Sequence, residues 1–394
     1  MNGKRRLKMK QLTRLFIPIC LETLFYMLSG MVDTLMLSAV GDYAVGAVGT
    51  ANSYIGIFII MFSIISSGMV SVMTQNIGAG RPGVAYQARQ LGLLFNAVAG
   101  VLMAVFLFSG AGAILRMVGI ADALYEPALI YLKIVGGGCI LNAVIPIFSS
   151  YLRAFGYTKQ PLYATIVGNI ANFVMNAVFL FVLHKGVAGV ATATVISKIL
   201  NLCIVLYFSH KLISAKNSTE RIANKTVLGQ IVKVGLPSAC ETALYNVAMM
   251  LVIRFLNQMD AEGLNVTARS YTATISNFSY CVGAALAQAN AIMTGWHIGA
   301  GELEECDRGT KRAAFVGVCV AVCMETAIVL GSGFIMPLFT DNPEMTALVR
   351  KLLAIDIVLE IGRVTNLVFG QALKTSGDLS LIHISEPTRL RRIS

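Results

Sequence analysis

Long apolar runs alternate with short polar connectors along almost the whole chain. An α-helix needs about 20 mainly apolar residues to cross a hydrocarbon core of ~30 Å, and ten runs reach that length. Inside lipid, a segment of this kind satisfies its own backbone hydrogen bonds only as a helix. The pattern therefore predicts an all-α, polytopic membrane protein. The ten runs cover residues 14–39, 51–76, 89–113, 127–153, 161–183, 187–209, 229–256, 266–293, 311–336 and 348–374.

The composition favours the same class of protein. Hydrophobic residues make up 56% of the chain and charged residues 13%, whereas ordinary soluble domains carry about 25% charged residues. A soluble fold of this size has too little interior to bury so much apolar surface. The composition therefore excludes an ordinary soluble fold, and we expect the lipid bilayer to be the main surroundings of the chain.

The formal net charge of +11 would by itself suggest nucleic-acid binding, but the positions of the charges along the chain favour a different interpretation. The cations precede the first run or lie in alternate connectors, and basic connectors mark the cytoplasmic side of a membrane protein. We therefore expect a multi-pass protein of the bacterial cytoplasmic membrane, with a cytoplasmic N-terminus and no nucleic-acid partner. The predicted cytoplasmic cations are Lys4, Arg5, Arg6, Lys8, Lys10, Arg81, Arg89, Arg153, Lys159, Lys211, Lys216, Arg221, Lys225, Arg308, Lys311 and Arg312.

An internal repeat divides the chain in two. Four groups of residues recur in the same order at an offset of 219 to 221 positions. Six helices return the chain to its starting side, so the copies are predicted to be parallel repeats around an axis along the membrane normal, with a central cavity between them. The matching groups are Pro18, Glu22 and Tyr26 with Pro237, Glu241 and Tyr245; Gly78 and Gly80 with Gly299 and Gly301; Gly110 and Gly112 with Gly331 and Gly333; and Arg153 and Gly156 with Lys374 and Gly377.

The repeat predicts the domain organisation. Residues 1–209 form a six-helix bundle, 210–228 a cytoplasmic linker, and 229–378 a second bundle with four of its six helices, so about ten of twelve helices are present. Helices eleven and twelve should follow, but residues 379–394 are polar and resemble the translation of a transposon-end sequencing adapter. We expect this tail to be non-native and the natural chain to continue for about 50–60 residues.

Several short motifs carry a resemblance to a known family. They are 32–38 (VDTLMLS) with 47–49 (AVG), 75–80 (QNIGAG), 152–158 (LRAFGYT) and 186–194 (GVAGVATAT). In order and spacing they resemble the multidrug and toxic compound extrusion family, over residues 11–378. The resemblance implies twelve helices in two six-helix bundles, and export of organic cations in exchange for sodium ions or protons.

The same resemblance assigns expected roles to individual residues. Pro18 matches the proline that bends the first helix of several prokaryotic members, and Asp33 matches their first-helix carboxylate. Asn172 matches an asparagine of the fifth helix, and Thr194 a threonine of the sixth. Asn176 departs from the pattern, because some members have a second aspartate there. This departure leaves open which ion is coupled and how many are moved.

Polar residues inside the first six runs predict a hydrophilic pocket without reference to the family. Ionisable groups in a membrane span usually face a cavity or a partner, and Glu22, Tyr26 and Asp33 share one helical stripe. A carboxylate beside amide and hydroxyl oxygens can bind a proton or a sodium ion, so we expect the coupling ion near Asp33. The alternative is that these groups only hydrogen-bond helices together. Further stripes comprise Asn169, Asn172 and Asn176 on the fifth run and Thr194, Lys198 and Asn201 on the sixth, with Lys198 a candidate to neutralise Glu22.

The second half offers further charged residues within its apolar runs. Asp356, Glu360 and Arg363 fall on one face of the tenth run, where a Glu360–Arg363 salt bridge is the simpler interpretation. Glu241 and Glu325 have no partner nearby in sequence and are candidates to face the cavity, where anionic groups attract cationic substrates.

The predicted function is an ion-coupled antiporter that exports organic, cationic drugs or toxic compounds by alternating access, using Na⁺ or H⁺ and no cofactor. Metalloprotease, serine-hydrolase and P-loop motifs do not occur in the sequence, so neither an enzyme nor an ATP-driven pump is favoured. We expect a monomer. Two alternatives stay open: a flippase for lipid-linked precursors from the same superfamily, or a truncated fragment that inserts but transports nothing.

Overall fold

The computed structural model describes residues 2–117, 119–213, 220–259, 264–338, 340 and 342–377. Within these ranges the regular structure is helical, which confirms the all-α prediction. A π-helix follows α6 at Val178–Val182, and a 3₁₀ turn follows α10 at Met336–Leu338. The α-helices are α1 (Asn2–Ser38), α2 (Asp42–Gly78), α3 (Pro82–Met117), α4 (Asp122–Gly137), α5 (Cys139–Ala154), α6 (Lys159–Ala177), α7 (Gly186–Leu212), α8 (Asn224–Met259), α9 (Leu264–Gly299), α10 (Leu303–Ile335) and α11 (Pro343–Ser376).

All ten predicted runs lie in helices, but the fourth is not one helix. Residues 127–153 divide between α4 and α5, which meet at Gly138 at an angle of 42°. Three successive glycines, 136–138, end α4, and glycine is a poor helix former because its unfolded backbone is so free. The prediction of an unbroken fourth helix was therefore wrong, and the correction matters because α4 and α5 contribute separate walls to the site.

Most of these helices are apolar enough to cross a bilayer. In the described part of the chain, seven helices meet a length and hydropathy criterion for a membrane span, and the bent α4–α5 pair adds an eighth. The other two predicted spans, α9 and α11, are more polar and pack closely against each other. Several of their polar side chains are buried, among them Ser276 on α9 and Asp356 and Glu360 on α11.

Most contacts between the helices fall within two groups. Helices α1 to α7 pack as a first bundle, in which α6 lies on α7 and α3 lies on α5. In the second bundle α9, α10 and α11 pack on one another. The groups meet mainly where α2 contacts α8 and α9, and where α1 contacts α9. The predicted linker 210–228 contains the connection between α7 and α8, residues 213–223, but its two ends belong to those helices. Residues 214–219 of the linker, like the tail 379–394, lie outside the described residues.

The contact between α2 and α9 is two-fold symmetric. A Cβ on Gly78 would collide with the carbonyl of Trp296, and a Cβ on Gly299 would collide with the carbonyl of Gln75. Gly78 and Gly299 are equivalent in the repeat, and so are Gln75 and Trp296, both at an offset of 221. An isologous contact of this kind requires a two-fold axis between the helices. We call this contact, with the nearby Thr375 and Ala154, the inter-bundle seam.

Candidate functional site

Asp33 lies in a polar pocket of the first bundle, where α1 meets α6. The side-chain amide of Asn176 donates to Asp33 Oδ1 at 2.7 Å and to Asn172 Oδ1 at 3.1 Å. Both asparagines are buried, and Asn176 Oδ1 has no hydrogen-bond partner among the described residues. The one-turn spacing of the two asparagines thus places both amides on one face of α6, where the amide of Asn176 meets the carboxylate of Asp33.

Other helices complete this pocket. On α7, Thr194 donates to its own helix at Val190, and Lys198 Nζ donates to Asn142 Oδ1 on α5 at 2.8 Å. Tyr131, buried on α4, interacts with Asn52, with Thr194 and with the charge of Asp33. Sequence reasoning missed Asn142 and Tyr131. Asn142 was detectable as an amide within an apolar run, whereas a tyrosine in such a run gives no comparable signal.

Glu22 does not join Asp33 in this cluster, although both lie on one helical stripe. Glu22 forms an ion pair with Arg153 on α5, at 2.5 Å, so the prediction that Lys198 neutralises Glu22 was wrong. Tyr26 is 69% exposed. The reason is distance along α1, since 11 residues separate Glu22 from Asp33 and span about 16 Å of helix. Pro18 is buried inside α1, which continues on both sides of it.

The second bundle contains the equivalent ion pair. Lys374 on α11 pairs with Glu241 on α8 at 2.7 Å, as Arg153 pairs with Glu22. Both members of the second pair stand at the repeat offset from the first. The pairs differ in burial, because the Glu241 side chain is 59% exposed and that of Glu22 only 12%.

A second charged cluster is buried between α9, α10 and α11. Arg363 forms the predicted ion pair with Glu360 and lies 3.6 Å from Asp356. Glu325 accepts a hydrogen bond from Ser276 at 2.7 Å. All three carboxylates are buried, and one oxygen each of Glu325 and Glu360 has no hydrogen-bond partner among the described residues. A single arginine thus compensates several acidic groups in an apolar environment.

A cavity of about 250 Å³ lies between the bundles, enclosed by α2, α9 and α11. Its polar lining includes Ser71, Gln288, Gln371 and Lys374. Arg153 reaches Gln288 across the interface at 3.1 Å, so the ion pair of the first bundle borders the same space. In the described residues no three His, Cys, Asp or Glu side chains are grouped so as to hold a metal ion. Any cation bound near Asp33 would therefore depend on amide and hydroxyl oxygens beside one carboxylate.

Two repeated helical bundles that enclose a polar cavity, and bury carboxylates within membrane-spanning helices, define a membrane transport protein. The MatE family model matches residues 18–178 and 237–385, two segments that start 219 residues apart at equivalent prolines. The chain belongs to the multidrug and toxic compound extrusion (MATE) family of transporters, which confirms the resemblance seen in its motifs.

The chain is also similar to individual proteins. It is 32% identical over 367 residues to the uncharacterized transporter YisQ of Bacillus subtilis (strain 168), covering 92% of this chain and 80% of YisQ. A crystal structure of a MATE protein in complex with MaD3S matches with a TM-score of 0.82 and 22% identity, over 95% of this chain and 84% of that one. An outward-facing multidrug resistance MATE transporter matches with a TM-score of 0.79 at the same identity and coverage. These structures share the fold of this chain.

Proposed function

We propose that this transporter exports organic cations and is driven by protons or sodium ions that bind at Asp33. The observation that carries the proposal is the pocket in which Asn176 bridges Asp33 and Asn172. A partly buried carboxylate with amide neighbours is a poor structural link between helices, but it suits reversible binding of one small cation.

The inter-bundle seam supports alternating access. Ser71 and Gln75 of α2 both donate to the carbonyl of Thr375, and Trp296 donates to the carbonyl of Ala154. These contacts join the bundles at the helix ends whose connectors are rich in cations, the predicted cytoplasmic side. We infer that the seam closes the path to the cytoplasm in this state, and that it opens when the bundles rock against each other.

Coupling then follows from competition for one conformational equilibrium. Cation binding at Asp33 from the outside favours the substrate-free state, and substrate entry from the cytoplasm favours release of the cation. Each charge that moves down a potential of 100 mV contributes about 2.3 kcal/mol, so one or two ions provide a useful gradient.

The charges around the cavity favour an exporter over a flippase for lipid-linked precursors. A flippase would need cationic side chains available to hold phosphates. Arg153, Lys374 and Arg363 are each paired with a carboxylate, which leaves Lys198, bonded to the neutral Asn142, as one buried cation without a carboxylate partner among the described residues. The other alternative, a fragment without transport activity, stays a prediction.

The test uses the whole chain in proteoliposomes loaded with a fluorescent organic cation. An imposed proton or sodium gradient should drive dye movement, and Asp33→Asn should abolish it while leaving the thermal stability of the purified protein unchanged. Asp122→Asn, at the exposed start of α4, is the matched control and should retain activity. Unchanged activity in Asp33→Asn would refute the role of Asp33, and an inactive parent chain would favour the fragment.

A further inference from the structure

Lys198 places a positive charge in the middle of the membrane. It is the thirteenth of 27 residues of α7, so it stands near the centre of a helix that spans the bilayer. A cation at this depth is costly unless a partner compensates it. Its observed hydrogen bond is to the neutral amide oxygen of Asn142, at 2.8 Å, which does not neutralise the charge.

The charged group of opposite sign that acts on Lys198 is Asp33. Asp33 on α1 and Lys198 on α7 do not form an ion pair in this state, but α7 contacts both α1 and α6, so the two side chains lie in one region of the bundle. The helices packed against α7 bring Cys139 from α5 and Tyr131 from α4 to the same region, together with the neutral amides of α6. The described pocket therefore contains one carboxylate and one ammonium group, each held by a neutral amide.

We propose that Lys198 is a tethered cation that competes with the coupling ion for Asp33. The inference rests on the proposed function, in which Asp33 binds that ion. When the ion is bound, charge repulsion favours the hydrogen bond from Lys198 to Asn142. When the ion leaves, the flexible ammonium group moves towards Asp33 and compensates it. The pocket then never presents a bare carboxylate to the membrane interior, and Lys198 sets the affinity for the ion.

The geometry predicts opposite effects for two substitutions. Lys198→Met removes the competitor, so the coupling ion should bind about tenfold more tightly. Asn142→Ala removes the group that holds the ammonium away from Asp33, so the ion should bind more weakly, by severalfold. Lys198→Arg keeps the charge and should stay within about threefold of the parent protein.

Ion binding is measured as the increase in thermal stability of the purified chain with rising concentration of Na⁺ or of protons. The concentration at half of the maximal increase is compared between variants, and ion-driven transport is then measured in proteoliposomes. Lys211→Met is the matched control, because Lys211 lies on the same helix but donates to Tyr207 near its end. Half-saturation within twofold of the parent protein in both Lys198→Met and Asn142→Ala would overturn the inference. If Lys198→Met does not fold, the weaker binding expected of Asn142→Ala decides the question alone.

The same set of variants separates this inference from the proposed function. If Asp33→Asn keeps ion-driven transport, the proposed function fails, and the inference fails with it. If Asp33→Asn loses transport but Lys198→Met binds the ion like the parent protein, only the role of Lys198 is refuted.

Discussion

The closeness of α2 and α9 at the inter-bundle seam predicts that Gly299→Ala opens the seam. A Cβ at this position would lie 2.8 Å from the amide nitrogen of Ala79 and from the carbonyl carbon of Gln75, and closer still to the carbonyl oxygen. Ordinary contact begins at 3.4 Å, so the two helices must separate by 0.6 Å or more. Backbone atoms of two helices cannot yield as a flexible side chain would, so the bundles themselves have to move.

Three hydrogen bonds of the seam contribute to the cost of that movement. The bonds from Ser71 and Gln75 to Thr375 and from Trp296 to Ala154 measure 2.7, 2.5 and 2.9 Å, and they all cross between the bundles. Each is worth roughly 0.6 to 1 kcal/mol in a membrane protein. Their loss would destabilise the closed seam by about 2 to 3 kcal/mol, which shifts the equilibrium towards the open state by roughly 25- to 150-fold.

The only tryptophan of the chain, Trp296, reports this change directly. Its indole donates across the seam, so opening should shift its emission to longer wavelength and increase quenching by acrylamide. Gly370→Ala is the matched control, because a Cβ there has no atom within 4 Å. If Gly299→Ala folds and its tryptophan emission and quenching equal those of the control, the backbone contact does not hold the bundles in this state, and the reasoning is refuted.

The ion pairs give two further predictions, both measured as the free energy of unfolding in detergent. Arg153→Met leaves the nearly buried Glu22 uncompensated and should lower the free energy of unfolding by about 3 kcal/mol. Lys374→Met leaves the half-exposed Glu241 uncompensated and should lower it by less than about 1 kcal/mol. Equal losses in the two variants would contradict the role of burial. Arg363→Met leaves the two buried carboxylates that it pairs with uncompensated, so stability should fall by several kcal/mol and recover when both are replaced by amides. A loss that persists in the amide background would show that Arg363 acts by packing.

The sequence predicted the fold because lipid leaves few choices. Long apolar runs must become helices in a bilayer, and the constant offset of the repeat required two parallel copies. The length of the apolar runs placed α9 and α11 among the spans, although both are comparatively polar and do not meet the criterion for a membrane span that the other helices meet. The break at Gly138 was harder to predict from the sequence, because glycines also occur within many unbroken membrane helices.

Helical spacing also predicted part of the site. Asn172 and Asn176 are one turn apart, so they had to share a face, and Asp33 was the obvious carboxylate for them to meet. The ion pair of Glu22 with Arg153 could also have been predicted from the sequence. Both partners recur in the repeat with the same charges, as Glu241 and Lys374. The pair was not predicted because Glu22 and Arg153 are far apart along the chain.

The sequence by itself thus determined which segments are helices, how many copies of the bundle exist and which polar groups lie on each helical face, because these depend on local periodicity and on the requirement to satisfy the backbone in lipid. The tertiary structure decided which partner each charge takes: Glu22 pairs with Arg153, 131 residues away, and Lys198 bonds to Asn142, 56 residues away. It also decided that α2 and α9 meet at their glycines. Such choices depend on the three-dimensional approach of helices, and the energy of a buried charge is fixed only when its neighbours are in place.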